Sequence, residues 1–101
     1  MKDVMALCWA ASQGDLDEIK RLVATGVDLN GADYDGRTCL HLAASEGQKS
    51  VVNYLLAKQV YINLKDRFGG TPLADAKRHN QDEVVLILEK SVQKYNIIKE
   101  Q

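Results

Sequence analysis

The sequence predicts an all-α solenoid of three stacked helix-turn-helix units joined by short hairpin loops. Three observations predict it. Positions recur every 33 residues: Leu7, Leu40 and Leu73; Ala10, Ala43 and Ala76; Leu22, Leu55 and Leu88; Asn30, Asn63 and Asn96; and Gly14 and Gly47, a series that ends in Asn80. Within each unit a turn-rich stretch precedes two runs of helical apolar spacing. The chain has 101 residues, enough for one domain with a small core. A unit of this length cannot bury its own apolar face and must stack on its neighbours. Such a scaffold favours binding over catalysis.

The repeats divide the chain into residues 1–32, 33–65 and 66–101, the last including a C-terminal cap. Repeat 1 offers Leu7, Ala10 and Ala11 on a first helix, then Gly14, then the stripe Leu16, Ile19, Leu22 and Val23 on a second. It lacks the turn that opens the other two. Trp9 stands where repeat 2 has Leu42, and it is expected to cover exposed core at this end, the alternative being a partner anchor.

Repeat 2 is the clearest. Asp33–Thr38 is turn-rich, with Gly36 where a tight turn needs positive φ. Thr38 is placed to cap a short helix containing Leu40, Leu42, Ala43 and Ala44, which Gly47 ends in the left-handed conformation. Gln48-Lys49-Ser50 opens a second helix with the stripe Val51, Val52, Leu55 and Leu56, after which Val60 and Ile62 alternate.

Repeat 3 copies this, with Pro72 at the tolerated first turn and Asn80 in the register of Gly47. Two changes set it apart. Ala44 becomes Lys77 and Leu56 becomes Glu89, which predicts a polar terminal face. Gly26 becomes Gln59 and then Val92, a β-branched residue unsuited to positive φ. The spacing Val85, Leu88, Val92, Tyr95 and Ile98 therefore predicts a helix running on towards Lys99. Ile97 and Ile98 are expected to be available to a partner or a second copy.

Composition narrows the function. A formal net charge of −1 removes the electrostatic case for nucleic acid or an anionic membrane. No apolar run approaches the ~20 residues of a bilayer span, and residues 1–5 carry no signal-peptide core. Two cysteines without a Cys-x-x-Cys pair suit a reducing, cytoplasmic setting.

The segments Thr38-Cys39-Leu40-His41-Leu42-Ala43-Ala44 and Gly69-Gly70-Thr71-Pro72-Leu73 resemble the ankyrin repeat, and the resemblance covers essentially the whole chain. It implies a stack of β-hairpins and antiparallel helix pairs, no catalysis, and protein partners held on the hairpin tips and the inner face of the first helices. Asp33–Thr38 and Lys65–Phe68 look like the ankyrin segments of mitochondrial glutaminases and plant-type potassium channels. Gly14–Ile19 with Asp28–Asn30 is similar to the start of myotrophin, a free-standing ankyrin protein. One likeness points to an accessory segment of a larger enzyme or channel, regulatory or oligomerising. The other points to a stand-alone adaptor, which Met1 and the polar end of repeat 3 favour.

The ankyrin pattern places its variable positions at Tyr34, Asp35, Arg37, Ser45 and Glu46 in repeat 2, and at Arg67, Phe68, Arg78 and His79 in repeat 3. Exposed aromatics among arginines are the residue mix of interface hot spots. The expected partner is a protein with an acidic or mixed patch, and the chain itself is expected to be a monomer with at most weak self-association. His41 is expected to bond the Thr38 hydroxyl and nearby backbone. The spacings of His41, His79, Cys8 and Cys39 fit no recognised metal site, and no cofactor is implied. Asp15, Asp17 and Glu18 sit at a helix start, where they complement the macrodipole. Asn30 and Asn63 resemble positions hydroxylated in ankyrin repeats; the alternative is that both hold their loops by side-chain-to-backbone bonds.

Overall fold

The computed structural model describes residues 3–100, with side chains as far as Gln93. It contains six helices: α1 (Val4–Gln13), α2 (Leu16–Ala24), α3 (Cys39–Ser45), α4 (Lys49–Ala57), α5 (Pro72–Arg78) and α6 (Asp82–Glu100). They pair as α1–α2, α3–α4 and α5–α6. The first helices pack on one another along the stack, and α4 packs on α6. Strand structure among the described residues is confined to one antiparallel bridge, Ala32 to Thr38.

Three helix starts have a side-chain cap. Thr38 accepts from the His41 backbone N–H while the His41 ring returns a bond to the Thr38 N–H, a reciprocal capping box. Thr71 caps α5 through the Ala74 N–H, with Pro72 just inside the helix. Asp15 caps α2 through the Glu18 N–H, and Glu18 pairs with Arg21 at 2.7 Å. The acidic run is the predicted solvated cap.

The recurring apolar positions form one core. Leu7, Leu40, Ala10, Ala43, Ala76, Leu22, Leu55 and Leu88 are all buried in it, with Ile19, Val51, Val52 and Val84. Small residues on the first helices let those helices lie close. Leu73 is only half-buried, because it lies at the last repeat.

α6 does run on through Glu100, as the loss of the loop glycine at Val92 predicted. The side-chain roles expected of Tyr95, Asn96, Ile97 and Ile98 lie outside the described residues. Lys77 and Glu89, which replace the apolar Ala44 and Leu56, form an ion pair at 3.6 Å. One sequence expectation is corrected. Trp9 covers no core: it is 68% exposed, because the α1 apolar face is already filled by Leu7, Cys8, Ala10 and Ala11.

Candidate interaction surface

Both described hairpins are built by one aspartate each. Asp33 Oδ1 accepts the N–H groups of Asp35 and Arg37 at 2.9 and 3.0 Å. Asp66 Oδ1 accepts those of Phe68 and Gly70, both at 2.9 Å. Each aspartate also closes its hairpin through its backbone, Asp33 N–H to Arg37 O and Asp66 N–H to Gly70 O. The Gly70 and Phe68 amides, with Arg37 nearby, hold the Asp66 carboxyl below the usual carboxylate range. These bonds force residues 34–35 and 67–68 outward at the tips, where Tyr34 is 86% and Phe68 72% exposed.

The two tips are joined. Arg67 N–H donates to Asp35 O at 2.8 Å, and the Arg67 guanidinium reaches Asp35 Oδ1 at 3.2 Å. The same guanidinium lies 5.3 Å from the centre of the Phe68 ring. Asp35, Arg67 and Phe68 therefore form one strip beside Tyr34. Arg37 lies behind it, with Nε 3.8 Å from Asp66 Oδ2 and buried without a hydrogen-bond partner among the described residues.

The remaining predicted positions end the first helices. Glu46 and His79 are exposed. Ser45 is half-buried, and its carbonyl accepts the Gln81 side-chain amide at 3.0 Å. Arg78 is exposed but fixed at its tip by Asp75 at 2.8 Å. Asp75 escaped the sequence reading. It is buried, in the register of Leu42 and Trp9, and a carboxylate at an apolar position with an arginine three residues on was the available signal. Met5 was also missed as an exposed apolar residue of α1.

His41, Asp66 and Asp75 bring one potential ligand atom each within 4.8 Å of one another, all buried. The hydrogen bonds give the cluster a structural role. His41 Nδ1 accepts the Thr38 N–H at 3.1 Å, so the ring proton sits on Nε2, which donates to Gly70 O at 2.9 Å. Metal on Nε2 would have to break that bond and reverse the tautomer. Cys8 and Cys39 are free thiols, pushed up to about 11 and about 12 by burial. They are held neutral rather than activated. Asn30 Oδ1 accepts the Tyr61 N–H at 2.9 Å, tying one loop to the next, while Asn63 is exposed.

The sequence profile described as ankyrin repeats (3 copies) matches residues 7–99. The chain belongs to the ankyrin repeat family. Its relatives include serine/threonine-protein kinase 12 of Arabidopsis thaliana, 45% identical over 82% of this chain and 18% of the relative. They also include the mitochondrial liver glutaminase of Rattus norvegicus, 44% identical over 87% and 15%, and the potassium channel SKOR of Arabidopsis thaliana, 44% over 82% and 10%. This ankyrin chain thus spans less than a fifth of the length of each of these relatives. Glutaminases and a plant potassium channel are the relatives that the hairpin sequences resembled. Among solved structures it is similar to a chain from the Bdellovibrio bacteriovorus predatory endopeptidase Bd0816 in complex with immunity protein Bd3460. That match has TM-score 0.81 and 41% identity, covering 85% of this chain and 45% of that one. Among the described residues no helix is long and apolar enough to cross a membrane. Ankyrin repeats are generally protein-interaction modules and are not themselves catalytic.

Proposed function

We propose that this chain is an adaptor that takes a protein partner on the strip formed by the hairpin tips and the ends of α3 and α5. The observation that carries this is the joined pair of tips: Arg67 bridges the hairpins through Asp35 and lies over the exposed Phe68 ring, with the exposed Tyr34 beside Asp35 in sequence. A fixed aromatic loses little side-chain freedom on binding, and an aromatic–arginine pair is the usual anchor of an interface. Glu46, Arg78 and His79 flank it and supply the polar rim. Trp9 extends the apolar surface along α1. Similarity to a chain of an endopeptidase–immunity protein complex supports a role in protein–protein assembly.

A paired capture tests the reading, with the intact chain and a Tyr34→Ala/Phe68→Ala variant as baits. Capture by the intact chain alone, with an unchanged melting temperature for the variant, supports it. Equal capture by both moves the site elsewhere, and loss of fold in the variant means the two aromatics are structural.

A second reading rests on the relatives, in which the matching segment is a small part of a kinase, a glutaminase or a channel. On that reading the chain is a regulatory or oligomerising segment and acts by self-association. Sedimentation of the isolated chain separates the two, since a concentration-independent monomer removes the second.

A further inference from the structure

The loops after the second helices make a contact that occurs once and then stops. Loop 59–64 lies on loop 26–31: Val60 is buried, Ile62 packs on the core, and the Tyr61 N–H between them bonds Asn30 Oδ1 at 2.9 Å. Loop 59–64 thus brings two aliphatic side chains at alternate positions to the core and one amide to the platform of the repeat before it. One repeat along, Asn63 stands in the register of Asn30, and loop 59–64 becomes the platform. The segment that would cover it, 92–97, belongs to α6. Between that loop and α6 lies a groove of about 940 Å³, lined by Leu56, Val60, Ile62, Leu64, Ile87 and Lys90 among others. Among the described residues its lining holds no carboxylate, and Lys90 is the one cation of that lining.

We propose that this groove takes a short non-helical segment of a partner protein. The segment carries two aliphatic side chains at alternate positions with an acidic residue beside them. The aliphatic pair repeats the alternation of Val60 and Ile62. The amide between them bonds Asn63 Oδ1, and the acid meets Lys90. The groove lies between the second helices and their loop, apart from the hairpin tips, so the inference stands independently of the reading above.

The probe is a peptide copying residues 59–64 with a glutamate added at each end, titrated into the isotope-labelled chain and followed by amide chemical shifts. Saturable shifts confined to residues 53–64 and 87–91 are expected. Asn63→Ala should weaken binding about fivefold, the loss of one hydrogen bond. Ser91→Tyr, which fills the groove from α6, should abolish it. The Tyr34→Ala/Phe68→Ala variant should bind the peptide unchanged. Shifts centred on the hairpin tips, or equal binding by a peptide with serine at both aliphatic positions, would overturn the proposal. So would concentration-dependent shifts in the groove without peptide, which would give it to a second copy.

Discussion

Cys8 and His41, one repeat apart, make the same contact: each donates to the carbonyl 29 residues further along the chain. Cys8 Sγ faces Arg37 O at 3.8 Å, and His41 Nε2 faces Gly70 O at 2.9 Å. Each joins a first helix to the hairpin of the next repeat. The third position in this register is Ala74, which has no donor. His41 makes the stronger tie because Thr38 fixes its tautomer, whereas the residue in the Thr38 register of repeat 1 is Met5. Losing the imidazole orphans the Thr38 amide and leaves the Gly70 carbonyl with the Asp66 N–H alone, so His41→Ala is expected to cost about 1–3 kcal/mol. Cys8→His alone should gain little. Together with Met5→Thr it should stabilise by about 1 kcal/mol beyond the sum of the single changes. Urea unfolding of the four chains measures that coupling.

Gly47 and Gln81 form a second inter-repeat contact that makes a distinct prediction. Gly14, Gly47 and Asn80 share the left-handed conformation, at φ 73°, 70° and 59°. By conformation alone, asparagine should serve at all three. The side-chain amide of Gln81, however, lies over Gly47 to reach Ser45 O, and that of Gln48 lies over Gly14 to reach Ser12 O. A Cβ on Gly47 would come within 2.3 Å of Gln81 Oε1. Gly47→Asn is therefore expected to destabilise by about 1–3 kcal/mol while Asn80→Gly stays near neutral. In a Gln81→Ala background the same Gly47→Asn change should cost about 1 kcal/mol less. Equal costs in both backgrounds would sink the clasp.

These contacts show why the fold was legible and the surface less so. The core positions of a repeat protein must recur, so Leu7, Leu40, Ala43 and Leu88 announced themselves by register. The turn at Gly36 and the extension of α6 past Val92 followed from φ preferences that act locally. Trp9 was misjudged because its burial depended on whether the face of α1 was already full, which no local spacing reports. Asp75 was missed, although its partner Arg78 lies three residues on, because its neighbours His41 and Asp66 meet it only once the repeats stack. The tip residues Tyr34, Asp35, Arg67 and Phe68 were located by pattern, but the bridge between Asp35 and Arg67 is a product of stacking.

The two thiols and Asp66 set opposite limits of pH. Folded Cys8 and Cys39 titrate above the ordinary thiol range, at about 11 and about 12. Their contribution is fully present below the unfolded value near ~8.5 and is lost as pH rises through the folded values. Melting temperature should fall above pH ~9, and Cys39→Ala, though less stable at neutrality, should show a shallower fall. Asp66 is depressed, so its contribution is present above the unfolded carboxylate value near ~4 and is lost as pH falls through the folded value. Asp66→Asn should flatten that acid limb. At pH 8 a thiol reagent should label Cys39 only as fast as the chain unfolds, and labelling that outruns unfolding would refute the burial argument.

Gln59 breaks the repeat pattern at a conformational cost. It stands in the register of Gly26 and keeps the left-handed turn after its helix, at φ 61° against 97° for Gly26. A side chain bearing Cβ pays roughly 1–2 kcal/mol for that conformation. Glycine removes the strain but also loosens the unfolded chain, which returns roughly 0.4–1 kcal/mol. The Gln59 side chain is exposed, so no core contact is lost with it. Gln59→Gly is therefore expected to stabilise by about 0.5–1 kcal/mol, whereas Gln59→Val, β-branched, should destabilise by at least as much. Val92 tests the same rule from the other side. There the chain has given up the turn and extended the helix, so Val92→Gly, which restores freedom without restoring the loop, should destabilise by about 1 kcal/mol as an interior helix glycine. Opposite signs for glycine at two positions of the same register would establish that conformation, not register, decides where each second helix ends. Equal signs would mean that the helix extension has another cause.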